Sequence, residues 1–199
     1  MNGRIRRGVW TGLCVLGIGV SSAAAQPAVP ANLEVPAGHS VFLVGQATGT
    51  QNYICLPSDK SVAAWRFLAP QATLFVPATT GVGPQIATHF LSANPLEGGL
   101  ARPTWQDSED TSRVWGRAAA SSTDPAFVEA NAIPWLLVQR VGGSAGQSGG
   151  AGLAATTYIQ RVNTSGGVAP ADGCSKNRDI GALALVPYTT DYYFYRANQ

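Results

Sequence analysis

Short β-prone runs, each ended within a few residues by glycine, proline or a polar turn, leave this chain few folds to choose from. The runs are His39–Gly45, Gly49–Leu56, Val62–Ala69, Ala72–Val76 and Gln85–Leu91. Two strand ends follow around an acidic turn at Asp107–Asp110, then Trp135–Val138, Thr156–Asn163, Ile180–Val186 and Asp191–Arg196. The spacing predicts nine or ten short strands and an all-β domain, a sandwich or a barrel. Ala118–Asn131 holds the one helix candidate, with Ser121 and Asp124 placed as in a capping box, so at most one short helix is expected. No internal repeat and no second domain is evident. Along Gly49–Leu56 the alternation sets Gln51, Tyr53 and Cys55 on one face and Asn52, Ile54 and Leu56 on the other.

The stretch from Ile133 to Cys174 carries the densest β signal. Trp135–Val138 is continuously apolar, as in a strand covered on both faces. Gly142–Gly152, six glycines and two serines in eleven residues, must be loop. Thr156–Asn163 then returns as a strand, and Cys174 follows in a loop.

The first 25 residues read as an export signal. Arg4, Arg6 and Arg7 precede the uncharged apolar run Gly8–Val20, and Ala23-Ala24-Ala25 offers a small-residue cleavage site before Gln26. That run is too short to span a bilayer, and no other segment is apolar for long enough. A secreted or periplasmic location is therefore expected, with 26–36 an extended proline-rich lead-in and 37–199 one β-domain. Without the three arginines, ten basic residues face eleven acidic ones, so nothing draws the domain to nucleic acid or to an anionic membrane. Cleavage also removes Cys14. Cys55 and Cys174 remain, and two cysteines in an oxidising compartment imply one disulfide. A metal site built on them would need further ligands, and only His39 and His89 are available.

The strings Gly49-Thr-Gln-Asn-Tyr-Ile-Cys55, Trp65-Arg-Phe67, Pro103-Thr-Trp105, Ala132-Ile-Pro-Trp-Leu-Leu137, Tyr158-Ile-Gln-Arg-Val-Asn-Thr164, Val186-Pro-Tyr188 and Asp191-Tyr-Tyr-Phe-Tyr195 together resemble the DUF3455 family across nearly all of the chain after the signal. These are secreted bacterial and fungal proteins of unknown function. The resemblance implies export and paired cysteines and supplies no mechanism. The chain departs from the family pattern at Ser108-Glu-Asp110, where relatives carry an Asp-Gly-Ser turn, which weakens a ligand role for that turn. A malate dehydrogenase label attached to some fungal relatives finds no support, because no Gly-x-Gly-x-x-Gly opens a helix after a strand; no cofactor is implied.

Chemistry-bearing residues are few. Gly142–Gly146 and Gly146–Gly150 match Gly-x-Ser-x-Gly, but both histidines precede them and no helix follows, so a flexible loop explains the match. His89 lies in an apolar strand and reads first as a structural histidine and second as a general base. Asp107, Glu109 and Asp110 form an acidic turn more suited to pairing with Arg113 than to calcium. Trp65 and Trp135 read as core, whereas Trp105, Trp115, Tyr192 and Tyr195 are candidates for an exposed sugar-stacking face. Arg161 and Asn163 share a face opposite Gln160, and Arg161 in a central strand wants a carboxylate, Asp191 or Asp107. The ligand-site candidates are thus His89, Trp105, Asp107, Arg161, Asn163 and Tyr192. Three functions compete: binding of an extracellular glycan or envelope component, a carboxylate-dependent extracellular hydrolase, and a structural surface protein.

Overall fold

The computed structural model describes residues 26–58, 63–147, 149–175 and 178–199; residues 1–25, expected to be an export signal, and the motif serine Ser148 lie outside the described residues. Among the described residues, eight antiparallel strands run up and down in sequence order and close into a barrel. They are β1 (His39–Pro57), β2 (Ala63–Phe75), β3 (Gln85–Asn94), β4 (Leu100–Asp107), β5 (Arg113–Ser122), β6 (Trp135–Ser144), β7 (Tyr158–Gly166) and β8 (Leu183–Ala197). β1 closes the barrel: it pairs with β2 from Gln46 to Pro57 and with β8 from His39 to Ile54.

The expectation of an all-β fold holds, and of its two forms the barrel is correct and the sandwich is not. The expected count of nine or ten strands is too high: the eleven runs read from sequence become eight strands, because three breaks expected between them fall inside strands. Gly45 and Gly49 lie within β1. A Cβ at Gly49 would sit 2.1 Å from the Gln71 carbonyl oxygen, so this glycine allows two backbones to approach closely and makes no turn. Pro70 lies within β2, but the β2–β3 ladder is paired only from Ala72 to Phe75, so proline sits where no bond to β3 is made. Pro187 lies within β8 by the same logic, one residue before the β7–β8 ladder ends at Tyr188.

The helix expected over Ala118–Asn131 does not form. Ala118–Ser122 finish β5, and Asp124 turns the chain by accepting from the backbone N–H groups of Phe127 and Val128 through its carbonyl and of Ala126 through its side chain. Single 3-10 turns occur at Ala31–Leu33 and Pro95–Glu97. Among the described residues no helix is long and apolar enough to cross a membrane.

Two apolar layers result. Inside, Leu74, Val114, Leu153, Ile159 and Phe194 pack with Phe42, Leu43 and Ile86. Leu153 comes from the β6–β7 connection and the others from the starts of odd strands and the ends of even ones, so they fill one end of the barrel. Outside, Trp135, Leu137, Val162, Tyr193 and Tyr195 are covered by Leu33 and Val128. β6 is therefore buried on both faces, as its unbroken apolar run implies. The lead-in, expected to have little structure, is the strap over this outer layer: Leu33 is 0 % exposed, and its carbonyl accepts from Gln160 Nε2 at 2.6 Å.

Cys55 and Cys174 form a disulfide. It fastens the β7–β8 loop to β1, where Cys55 N–H donates to the Ala182 carbonyl and Gly181 N–H to the Cys55 carbonyl. Trp65, expected in the core, is only partly buried; its indole N–H donates to the Asp172 carbonyl of the same loop.

Candidate functional site

The end of the barrel where odd strands finish is not filled. A cavity of about 280 Å³ opens there. β1 contributes Gln51 and Tyr53, β3 His89, β4 Trp105, β7 Arg161 and β8 Tyr192. Phe67, 53 % exposed, Ala118 and Leu136 form part of the rim together with Pro70, Pro103 and Pro134. The alternation in β1 explains why Gln51 and Tyr53 point inward with Cys55. Gly116 on β5 makes room for the indole: a Cβ there would lie 3.1 Å from the Trp105 ring and 2.4 Å from Val138.

The aromatic wall is tightly ordered. His89 stacks on Trp105 with centroids 4.2 Å apart and planes 13° from parallel, and Tyr192 meets both rings edge-on at 5.4 and 5.5 Å. His89 Nδ1 lies 2.9 Å from the Thr104 carbonyl oxygen. A carbonyl only accepts, so Nδ1 carries the proton and Nε2 keeps its lone pair. Burial pushes the imidazole down to about 3, with the Thr104 bond opposing and the Arg161 charge adding to the effect. His89 is therefore neutral at neutral pH.

Arg161 is the charge of the site. Its Nε and Nη2 donate to the Pro134 carbonyl at 3.2 and 2.7 Å. The carboxylate partner expected for it is absent among the described residues, whose one ion pair joins Arg102 to Glu97. Asp191 instead accepts from Asn163, and Asp107 caps the β4–β5 turn by accepting from the N–H groups of Glu109 and Asp110. A backbone carbonyl takes the place of the acid because the β5–β6 connection brings Pro134 over Leu136, the register partner of Arg161. The field of Arg161 reaches Tyr53, His89, Tyr188 and Tyr192, favouring phenolate and disfavouring imidazolium. Burial outweighs it at all three tyrosines and holds them above the usual phenol range.

Several polar atoms here are left over. Trp105 and Tyr192 are each 1 % exposed and Gln51 3 %. Trp105 Nε1, Tyr192 OH and Gln51 Nε2 have no hydrogen-bond partner, nor has the neighbouring Tyr188 OH. Gln51, Tyr188, Tyr192 and Arg161 are neighbours in series, Gln51 beside Tyr188, Tyr188 beside Tyr192 and Tyr192 beside Arg161. Most buried polar groups in folded proteins are paired, so such a concentration at one cavity calls for an explanation.

Of the six sequence-derived candidates, the fold brings His89, Trp105, Arg161 and Tyr192 together at this cavity. Asp107 and Asn163 stand elsewhere, Asp107 in the turn it caps and Asn163 on the rim of another hollow, in left-handed backbone at φ 52°. Gln51, Tyr53 and Tyr188 were not singled out; the inward face of β1 was the available signal for the first two. The expected pairing of the acidic turn Asp107, Glu109 and Asp110 with Arg113 is replaced by Arg113 Nε donating to Gln106 Oε1, while Asp110 accepts from the N–H groups of Ser112 and Gly152. Trp105, Trp115 and Tyr192, considered for an exposed stacking face, are buried, as is Tyr195. Among the described residues no three His, Cys, Asp or Glu side chains gather to hold a metal ion.

The family described as "protein of unknown function (DUF3455)" matches residues 36–196, from just before β1 to the end of β8. The chain belongs to the DUF3455 family. No curated protein and no solved structure matches it. Within this DUF3455 chain the matched segment contains both cysteines and the whole cavity wall, and it leaves out most of the lead-in strap.

Proposed function

We propose that this DUF3455 protein is an exported, non-catalytic binding protein that takes one small ligand into the open end of its barrel. The observation that carries the reading is a mostly apolar cavity of about 280 Å³ whose wall holds one guanidinium, Arg161, with no carboxylate partner among the described residues. Ligand sites are concave and apolar with a few polar groups that fix orientation. An eight-stranded barrel is just wide enough to be filled by side chains or to hold one small ligand, a likeness of architecture alone. Export is supported by the signal-like N-terminal segment and by the Cys55–Cys174 disulfide, which suits an oxidising compartment.

Two observations weigh against the competing readings. Among the described residues the cavity wall carries no carboxylate, so a two-carboxylate hydrolase would need a second site. The faces of Trp105, Trp115 and Trp135 are buried, so a glycan would meet Tyr53 and Phe67 at the rim and no broad tryptophan platform.

The test is titration of the protein, purified after export, with an uncharged naphthylamine dye and with a glycan panel, read by tryptophan fluorescence and calorimetry. Saturable 1:1 dye binding that is lost in Ala118→Trp is expected, since Ala118 is an exposed rim residue that a large side chain would block. Polysaccharide binding that Ala118→Trp leaves intact, or dye binding insensitive to that change, would move the site out of the barrel.

A further inference from the structure

We propose that the cavity selects a small monoanionic carboxylate on a flat apolar body, the carboxylate seated on Arg161 and the body against the rim rings of Tyr53 and Phe67; this rests on the reading of the cavity as a ligand site. Trp105 Nε1, Gln51 Nε2 and Tyr192 OH lie buried behind the cavity surface, so Arg161 is the group of the wall that has N–H directions to offer a ligand. Arg161 uses two of its five N–H directions on one carbonyl, and no acidic partner among the described residues takes the rest. A guanidinium in a mostly apolar wall, with no carboxylate beside it among the described residues, fits an acceptor that brings negative charge. Cations are disfavoured by the same field.

One guanidinium also sets the charge. A carboxylate matches its planar fork with two parallel bonds, whereas a phosphate dianion would call for further cations that the wall does not hold. The neutral His89 adds no second positive charge; its Nε2 lone pair is an acceptor suited to a hydroxyl or N–H elsewhere on the ligand.

Size and shape follow from the remaining surface. A volume of about 280 Å³ is roughly twice the ~150 Å³ that encloses a benzene. The rim rings of Tyr53 and Phe67, with centroids 5.9 Å apart, favour a planar ring over a flexible chain.

Calorimetry on the exported protein with cinnamate, its amide and octanoate separates the possibilities. Cinnamate should bind at least tenfold more tightly than cinnamamide and more tightly than octanoate. Arg161→Gln should erase the preference of acid over amide while the amide still binds, and Arg161→Lys should restore part of it. Circular dichroism shows whether each variant is folded; should Arg161→Gln fail to fold, Arg161→Lys, which keeps the charge and loses the planar fork, should still narrow the acid–amide ratio severalfold. Equal binding of acid and amide, or a preference that survives Arg161→Gln, overturns the carboxylate assignment and leaves the ligand cavity standing. Octanoate binding above cinnamate overturns the flat body alone. No binding by any of the three, with Ala118→Trp also without effect on the uncharged dye, removes the cavity reading itself.

Discussion

His89 is the residue whose burial has the most direct consequence in solution. Its imidazole is held at about 3 in the folded protein, against an ordinary value of 6.5. Between those values the unfolded chain binds a proton that the native state excludes, so stability rises with pH through this window and is fully present above about 6.5. Acidification should therefore destabilise the barrel by up to about 1.4 kcal/mol per pH unit below 6.5 from this one group. Arg161 sharpens the effect by its charge, and no carboxylate lines the cavity beside His89 to offset it. Urea unfolding at pH 7, 6, 5 and 4 should show the loss, and His89→Gln should give a shallower slope over the same range. Equal slopes in the two proteins would mean that the imidazole is protonated in the fold. The residue scale also shows what the sequence revealed of the site. Arg161 stood out as a charge in an apolar strand and His89 as a polar group among apolar ones. The partner of Arg161 did not, because a carbonyl supplied by the β5–β6 connection has no side-chain signature.

At the scale of elements, the strands were legible in number and kind more than in their limits. β-branched and aromatic runs marked where strands lie, but Gly49, Pro70 and Pro187 read as breaks. In a closed barrel whose ladders are staggered, each occupies a place where backbones touch or where one edge of a strand is unpaired. The lead-in was least legible. Proline and alanine gave it no periodicity, yet Leu33 and Val35 pack on the outer face of β6–β8, and Gln26 donates to Gln160 Oε1 at 2.6 Å. Tyr195 donates to the same oxygen and is pushed up to about 12 by burial. Leu33→Ala should cost about 2–5 kcal/mol, the range for a fully buried leucine, measured as a shift in urea midpoint at constant m-value. Because Leu33 lies outside the barrel, dye binding in the cavity should be unchanged in the folded variant. A change in stability below about 0.5 kcal/mol, as for a typical surface substitution, would mean that the strap is not seated.

For the whole molecule, closure and cross-linking are separate devices. The barrel is closed by the hydrogen-bonded ladder of β1 with β8, which needs no disulfide. The disulfide joins residues 119 apart in sequence and so restricts the unfolded chain; on the chain-entropy argument it is worth about 4–5 kcal/mol. It also fixes a loop at the mouth of the cavity. Tyr53 OH donates to the Gly167 carbonyl at 2.7 Å, and Ile133 N–H donates to the Gly166 carbonyl, so the start of the β7–β8 loop braces two residues of the wall. Reduction, or the double change Cys55→Ser and Cys174→Ser, should thus have two effects that differ in kind. The unfolding midpoint should fall while the far-ultraviolet β signal at 25 °C persists, because the ladders remain. Affinity for the uncharged dye should fall severalfold in the still-folded protein, because the loop no longer holds Tyr53 and Ile133 in place. Loss of the β signal on reduction would make the disulfide a condition of folding. Unaltered dye affinity in a folded, reduced protein would show that the loop shapes the mouth without help from Cys174.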